Sequence, residues 1–359
     1  MLRRDVLGLM GALPLALAAL PRGACAGVDL QAVNEDIARN HAAPGYADFL
    51  WVASALKETL AGLNDDSVSL SDSQVTFGHA MDSWMLVQHL RIGPSQLDAR
   101  EFRIEYWPDK RNRVDRQLAE ALEQERPELL EPEGIAGTSV AIQGFPALER
   151  LLFVDPVVPG SYGAALAASI GANLQAIAAE MAAAWSPGSA FLDDLLKPGS
   201  SETAYADAGQ VTGHFLTALA TQLEFVAQRK LLGPLGESAE AARPRLAESW
   251  RSRRSLRNAR VNAMALDDFF GAGSQSRFAA ALQEAGAGEA AQEIGGRILA
   301  AGEVLTGLPD DLYDHVAEPE FRESVGDAAA WLDDARRLMV RDGAPALGLN
   351  LGFNSLDGD

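Results

Sequence analysis

The sequence predicts an all-α protein: two up-and-down helical bundles packed together, with short extended segments. Three observations carry that expectation. Apolar residues recur at spacings of three and four over most of the chain. Ala is abundant and β-branched residues are sparse, which favours helix. A Pro-rich break, Asp155-Pro156-Val-Val-Pro159-Gly160, separates two helical runs. With 359 residues, 48% of them hydrophobic, each run is long enough for a core of its own. The expected organisation is a signal over 1–26, an N-terminal bundle over 27–155 and a C-terminal bundle over 160–359.

The first segment reads as an export signal. Arg3 and Arg4 form a positive start, Val6 to Leu20 is apolar, and Ala24-Cys25-Ala26 resembles a cleavage site. The apolar run is too short for an ordinary transmembrane helix, and no other stretch qualifies, so no membrane span is expected. Arg3-Arg4 also fits a twin-arginine signal. Cys25 is the only cysteine. Lipid anchoring there is an alternative to its removal with the signal. After removal the mature chain has neither disulfide nor thiol chemistry. The expected destination is the periplasm.

The helices follow in order. Leu30, Val33 and Ile37 keep helical spacing, His41-Ala-Ala-Pro44-Gly45 interrupts, and Phe49, Ala53, Leu56 and Leu60 resume. Ser71 or Asp72 is the expected cap of a helix running to about Arg91, with Ala80, Trp84, Val87 and Leu90 as its stripe. Phe102 to Tyr106 alternates apolar and charged residues and is expected to be extended. Helices are expected over 112–124 and 135–153. Beyond the break, Leu166, Ile170, Leu174, Ile177, Met181 and Trp185 mark a strongly amphipathic helix. Helices are then expected over 205–232, 238–270, 277–284, 290–305 and 320–339. The tail from Leu347 alternates and should pack as an extended segment.

The net charge is −20, and losing Arg3, Arg4, Arg22 and Asp5 with the signal takes it to −22. Such a surface repels nucleic acid and anionic membrane, so no nucleic-acid partner is expected. Against that background, Arg243, Arg245, Arg251, Arg253, Arg254, Arg257 and Arg260 form a local cationic patch around Trp250. One reading is a helix face balancing neighbouring acids. The other is a clamp for a small anionic ligand, because a guanidinium offers oxyanions a planar fork. His214, Thr217, Thr221, Glu224 and Gln228 also share a helical face. That face is either solvated or lines a cleft between the bundles, where it would hold a polar ligand or a cation.

Signatures of common enzymes are missing: no G-x-S-x-G elbow, phosphate-binding loop, dinucleotide fingerprint or H-E-x-x-H pair. Of His41, His79, His89, His214 and His315, none pairs with another at i, i+4. His89 is the better ligand candidate, because Trp84 and Arg91 share its helix end. Gln143 to Phe153 carries one carboxylate, Glu149, among apolar residues, and places Pro146 inside an expected helix. A Pro there predicts a kink.

Several blocks make the chain resemble the imelysin-like proteins, also classed as the imelysin peptidase family. They are Trp84-Met-Leu-Val-Gln-His-Leu-Arg-Ile-Gly-Pro94, Phe102-Arg-Ile-Glu-Tyr-Trp-Pro108, Gln143-Gly-Phe-Pro-Ala-Leu-Glu149, Ser249-Trp-Arg-Ser252 and Leu351-Gly-Phe-Asn-Ser-Leu-Asp-Gly-Asp359. The resemblance implies two four-helix-type bundles, export and a link to iron uptake. It also implies a G-x-H-x-x-E motif whose His and Glu are proposed metal ligands. Here Gly144 and Glu149 match, but Pro146 stands at the His position and has no lone pair to offer. Glu149 remains the one expected ligand for a divalent metal, iron or zinc. The candidate ligand-binding residues are Trp84, His89, Arg91, Trp107, Gln143, Glu149, Glu224, Trp250 and Arg251. The favoured function is a periplasmic binding or accessory protein of iron uptake, working through an inter-bundle cleft. A metallopeptidase with a rebuilt metal site is the alternative, and a scaffold for a periplasmic partner protein the third reading.

Overall fold

The computed structural model describes residues 27–200, 203–271 and 274–351. The expected signal, Cys25 and most of the tail block lie outside them. Every regular element among the described residues is helical. No helix among them is long and apolar enough to cross a membrane.

The first helix, α1 (Leu30–Ile37), passes through a π-turn (Ala38–Ala42) directly into α2 (Ala43–Asn64). The interruption read at His41–Gly45 is therefore a widened turn within one helix. Pro44 has no N–H to give to Asn40, four residues back, and the Asn40 carbonyl accepts from Arg277 Nη2 at 3.3 Å. Next comes α3 (Leu70–Val87), capped by Ser69, whose Oγ accepts from Asp72 N at 3.1 Å. The cap thus falls two residues before Ser71 and three before Asp72, the expected positions.

Short helices follow: α4 (Arg100–Ile104), α5 (Arg113–Gln124) and α6 (Pro132–Gly137). The segment from Phe102, read as extended, is helical through Ile104. Only Glu105, where the backbone turns to β dihedrals, begins the extended stretch. Helix α7 (Phe145–Phe153) starts ten residues later than expected, and Pro146 sits in its first turn. The N–H groups of a first turn have no intrahelical partner, so Pro146 removes nothing and no kink forms.

Helix α8 (Tyr162–Ala184) follows the Pro-rich break and packs along α2. The backbones come close at Gly171, where a Cβ would stand 2.8 Å from Leu60 Cδ1. Helices α2, α3, α7 and α8 thus form the first bundle, and the break at 155–160 is a connection inside it. The expected boundary there is corrected: the apolar face of α8 is buried by helices from before the break. After α9 (Ala190–Leu196), the second bundle is built from α10 (Ala208–Glu224), which runs on through a π-turn (Phe225–Leu232) into α11 (Gly233–Leu235), and from α12 (Ser255–Phe270), α14 (Gly288–Thr306) and α15 (Pro319–Leu338). Helix α13 (Phe278–Glu284) packs on α14, and α16 (Ala344–Ala346) ends the helical series.

The helix expected over 238–270 forms only from Ser255. Residues 236–254 are turns with one short 3-10 piece at Pro244–Leu246. The bundles meet where α3 packs on α12 and α1 on α10, and one continuous apolar core runs through both.

Candidate functional site

A cavity of about 670 Å³ opens between the bundles. One wall is the segment from Glu105 to Asp115 with the first turns of α7. The other is the irregular stretch Arg245–Arg251. Local backbone chemistry shapes both walls. Gly144 is pressed so tightly on the preceding segment that a Cβ would stand 2.1 Å from the Ile104 carbonyl oxygen. Asp109 Oδ2 accepts from Val114 N at 2.8 Å and ties down the start of α5, leaving Lys110 and Arg111 on the rim. Ser249 and Arg253 adopt positive φ angles of 49° and 59°. For non-glycine residues such angles are strained by roughly 1–3 kcal/mol each. They fold Trp250-Arg251-Ser252 into a tight corner. Trp107 Nε1 donates to Leu246 O at 3.2 Å and joins the two walls.

Glu149 is 3% exposed and reaches that corner from α7. Its Oε1 accepts from Ser252 N at 2.8 Å and from Ser252 Oγ at 2.7 Å, and its Oε2 lies 3.7 Å from Arg251 Nη1. Burial pushes its carboxyl up, against the opposing pull of the two Ser252 bonds and Arg251. Arg251 Nη2 also donates to Asp115 Oδ1 at 2.7 Å, which Arg150 Nε approaches at 3.6 Å. The guanidinium of Arg251 lies 4.6 Å over the Trp250 ring, and that of Arg245 lies 5.8 Å from it. The Trp250 ring itself stacks on Tyr313. Trp250 therefore serves as a platform that places two guanidinium groups.

Behind the cavity lies a buried polar centre that the sequence reading missed. Glu105 lines the cavity, and its Oε2 accepts from Trp84 Nε1 at 2.8 Å and Gln88 Nε2 at 2.7 Å. Lys230, on the second π-turn, donates to Gln88 Oε1 at 2.8 Å, Glu248 Oε2 at 2.9 Å and Asn262 Oδ1 at 2.6 Å. Three acceptor oxygens thus meet the three protons of one ammonium. Asn258 Nδ2 adds a bond to Glu248 Oε2 at 2.9 Å. Lys230 and Glu248 are each 1% exposed.

The sequence model of the family described as Imelysin matches residues 42–339. The chain belongs to the imelysin family. It is 23% identical over 293 residues to iron-regulated protein A of Synechococcus elongatus, covering 79% of this chain and 77% of that protein. Its fold is similar to the crystal structure of an imelysin-like protein from Psychrobacter arcticum, with a TM-score of 0.76 and 18% identity over 91% of this chain and 99% of that one. A structure described as an iron-regulated protein A precursor from Parabacteroides distasonis gives a TM-score of 0.73 and 15% identity, covering 86% and 93%.

In this member of the family, four of the expected site residues share the cavity: Trp107, Glu149, Trp250 and Arg251. Trp84 acts one step behind it, through Glu105. Gln143 is a buried bracket, accepting from Arg103 Nε at 2.7 Å and donating to Thr138 O at 2.6 Å. Arg91 lies 4.5 Å over the Phe225 ring and 3.7 Å from Glu101. Glu224 and its polar stripe are not in the cavity walls, and His214 on that stripe is exposed. His89 is buried elsewhere, its Nε2 2.8 Å from His41 Nε2. His41 Nδ1 in turn meets Asp268 Oδ2 at 2.6 Å. A carboxylate only accepts, so His41 Nδ1 carries a proton. The Arg patch divides. Arg254 and Arg257 hold Asp82, Arg260 holds Asp310 and Arg253 holds Asp314, while Arg245 and Arg251 face the cavity.

The donor set around Glu149 does not suit a metal. Pro146 supplies no ligand, Ser252 occupies one carboxylate oxygen, and a guanidinium faces the other. No three His, Cys, Asp or Glu residues gather as a metal-binding group among the described residues. Ser252, Asp115 and Glu105 were the overlooked partners. Ser252 and Glu105 stand inside sequence blocks already singled out. Lys230 follows Arg229 directly among Val226, Ala227 and Leu231, so nothing in the sequence pattern singled it out.

Proposed function

We propose that this protein is an exported binding protein that takes a small anionic ligand in the inter-bundle cavity, within an iron-related process. The observation that carries the reading is the charge of the cavity in a chain of net charge −20. Lys110, Arg111, Arg150, Arg245 and Arg251 converge there. The acids beside them are engaged: Asp115 with Arg251 and Arg150, Asp109 with the start of α5, and Glu149 with Ser252. Among the described residues, the side chains of Lys110 and Arg111 meet no ion-pair or hydrogen-bond partner, and Arg245 has its one contact with Trp250. Positive groups concentrated in a cleft raise the local concentration of anions and supply directed donors for oxyanions. The name of the Synechococcus relative supports the iron-related setting. The N-terminal sequence supports export, with the periplasm as destination.

Titration calorimetry with citrate, oxalate and their ferric complexes tests the reading. Binding is expected to weaken about tenfold or more in Arg245→Ala and Arg251→Ala, the loss of one charge-assisted contact each. Unchanged affinity in both variants overturns it.

A further inference from the structure

The buried centre behind the cavity contains three ionisable groups: two carboxyls and one cation. Lys230 and Glu248 balance each other as a pair, with Lys230 Nζ 2.8 Å from Glu248 Oε1. Glu105 feels the Glu248 carboxyl beside it, and among the described residues no ion pair reaches Glu105. Two interacting carboxylates that are both shielded from water and have one cation between them do not both ionise. The hydrogen-bond pattern points the same way. Glu105 Oε2 is saturated by Trp84 and Gln88, whereas Glu248 Oε1, despite its nearness to Lys230, receives no well-directed hydrogen bond. A proton shared by the two carboxyls would give this oxygen a donor.

We infer that Glu105 and Glu248 hold one proton between them at the floor of the cavity, and that this proton gates anion binding by keeping the floor uncharged. The gating half rests on the anion-binding reading of the cavity; the shared proton does not. The surroundings fit. From α3 and the residue that caps its end come neutral donors, Trp84 and Gln88. Lys230 faces Glu248 from the π-turn. On the segment of Glu105 itself, Glu101 is turned to Ser95 and Arg91. Across the cavity, Glu149 is held by Ser252, and Asp115 by Arg251. Burial, then the charge of Glu248, pushes the Glu105 carboxyl well above the usual range, while Lys230 pulls it down. A raised carboxyl keeps its proton to higher pH than an ordinary one and loses it as pH rises further. The negative floor then opposes an anion whose binding the rim favours.

The test has two arms. Infrared difference spectra between wild type and Glu105→Gln at neutral pH are expected to show one protonated carboxyl stretch that the variant lacks. Gln keeps the acceptor for Trp84 and Gln88 and offers Glu248 an N–H, so the variant is expected to fold. Calorimetry with oxalate, from about pH 6 to about pH 9, is expected to give a wild-type association constant that falls about tenfold per unit above the transition, with a flat profile in Glu105→Gln. No Glu105-dependent carboxyl band overturns the shared proton. A variant with the wild-type pH profile overturns the gating. If oxalate does not bind wild type at any pH, the anion-binding reading fails and takes the gating with it, while the infrared arm alone decides the shared proton.

Discussion

The two bundles are tied by ion pairs in two very different settings. Lys230 and Glu248 meet with side chains 0% and 1% exposed, inside a ring of amide and indole groups. A short distance along α3 and α12, Arg254 and Arg257 both hold Asp82, which is 20% exposed. By count of bonds the second set is as rich as the first. The physical stakes differ because water can replace a lost partner at the rim and cannot reach the centre. At the centre, removing one charge strands the other in a medium that solvates it poorly. At the rim, desolvation is partial and screening is strong.

The sharpest way to break this comparison is Lys230→Met. It leaves Glu248 buried without its cation and is expected to cost about 3–5 kcal/mol in urea denaturation at neutral pH. The paired variant Lys230→Met with Glu248→Met is expected to be more stable than the single one, because no charge is then stranded. A single variant within experimental error of wild type would show that water reaches the centre. Arg277 comes next. Its side chain is 8% exposed, and it bonds Asp36, Asn40 O and Asp268 O at once. Arg277→Gln is expected to cost about 2 kcal/mol, in the range for hydrogen bonds to a charged group. Asp82→Asn keeps a hydrogen-bond acceptor for both arginines and is expected to cost less than about 1 kcal/mol, falling further with added salt. A loss as large as that of Lys230→Met would erase the distinction.

The same contrast explains what could be read from sequence. Long helices such as Tyr162–Ala184 announce themselves because burial repeats with the helical period. The bundle to which that helix belongs was not readable, since Pro156 and Pro159 mark a turn of the chain without saying what packs across it. Residues 244–254 carry an apolar and basic pattern compatible with a helix. The positive φ of Ser249 and Arg253 is imposed by tertiary contacts of the corner with Glu149 and Asp115. Pro146 looked like a defect because the helix was started ten residues too early. Placed in the first turn, it is ordinary. In the site, the large or unusual residues Trp107, Glu149, Trp250 and Arg251 were legible, and four other candidates sit away from the cavity and its backing network. Glu105 and Lys230 were not legible, because burial of a charge depends on partners brought from the end of α3, the stretch at Glu248 and α12.

The smallest expected effect lies at the exposed end of the series and is read through pH. Asp268 is 58% exposed, yet it accepts from His41 and pairs with Arg277 at 2.9 Å. The His41 hydrogen bond, helped by Arg277, lowers its carboxyl to about 2 against some opposing burial. A lowered carboxyl contributes stability above its unfolded value, near about 4, and loses that contribution as pH falls toward about 2. Exposure discounts the size of the effect, so Asp268→Asn should change the melting temperature little at neutral pH. It should instead flatten part of the acid limb of a melting-temperature profile between about pH 4 and about pH 2. Glu105→Gln should leave that acid limb alone. Its effect on stability belongs at the opposite end, where a raised carboxyl loses its proton as pH climbs. Superimposable acid limbs for wild type and Asp268→Asn would show that solvent screens the Asp268 pairings completely.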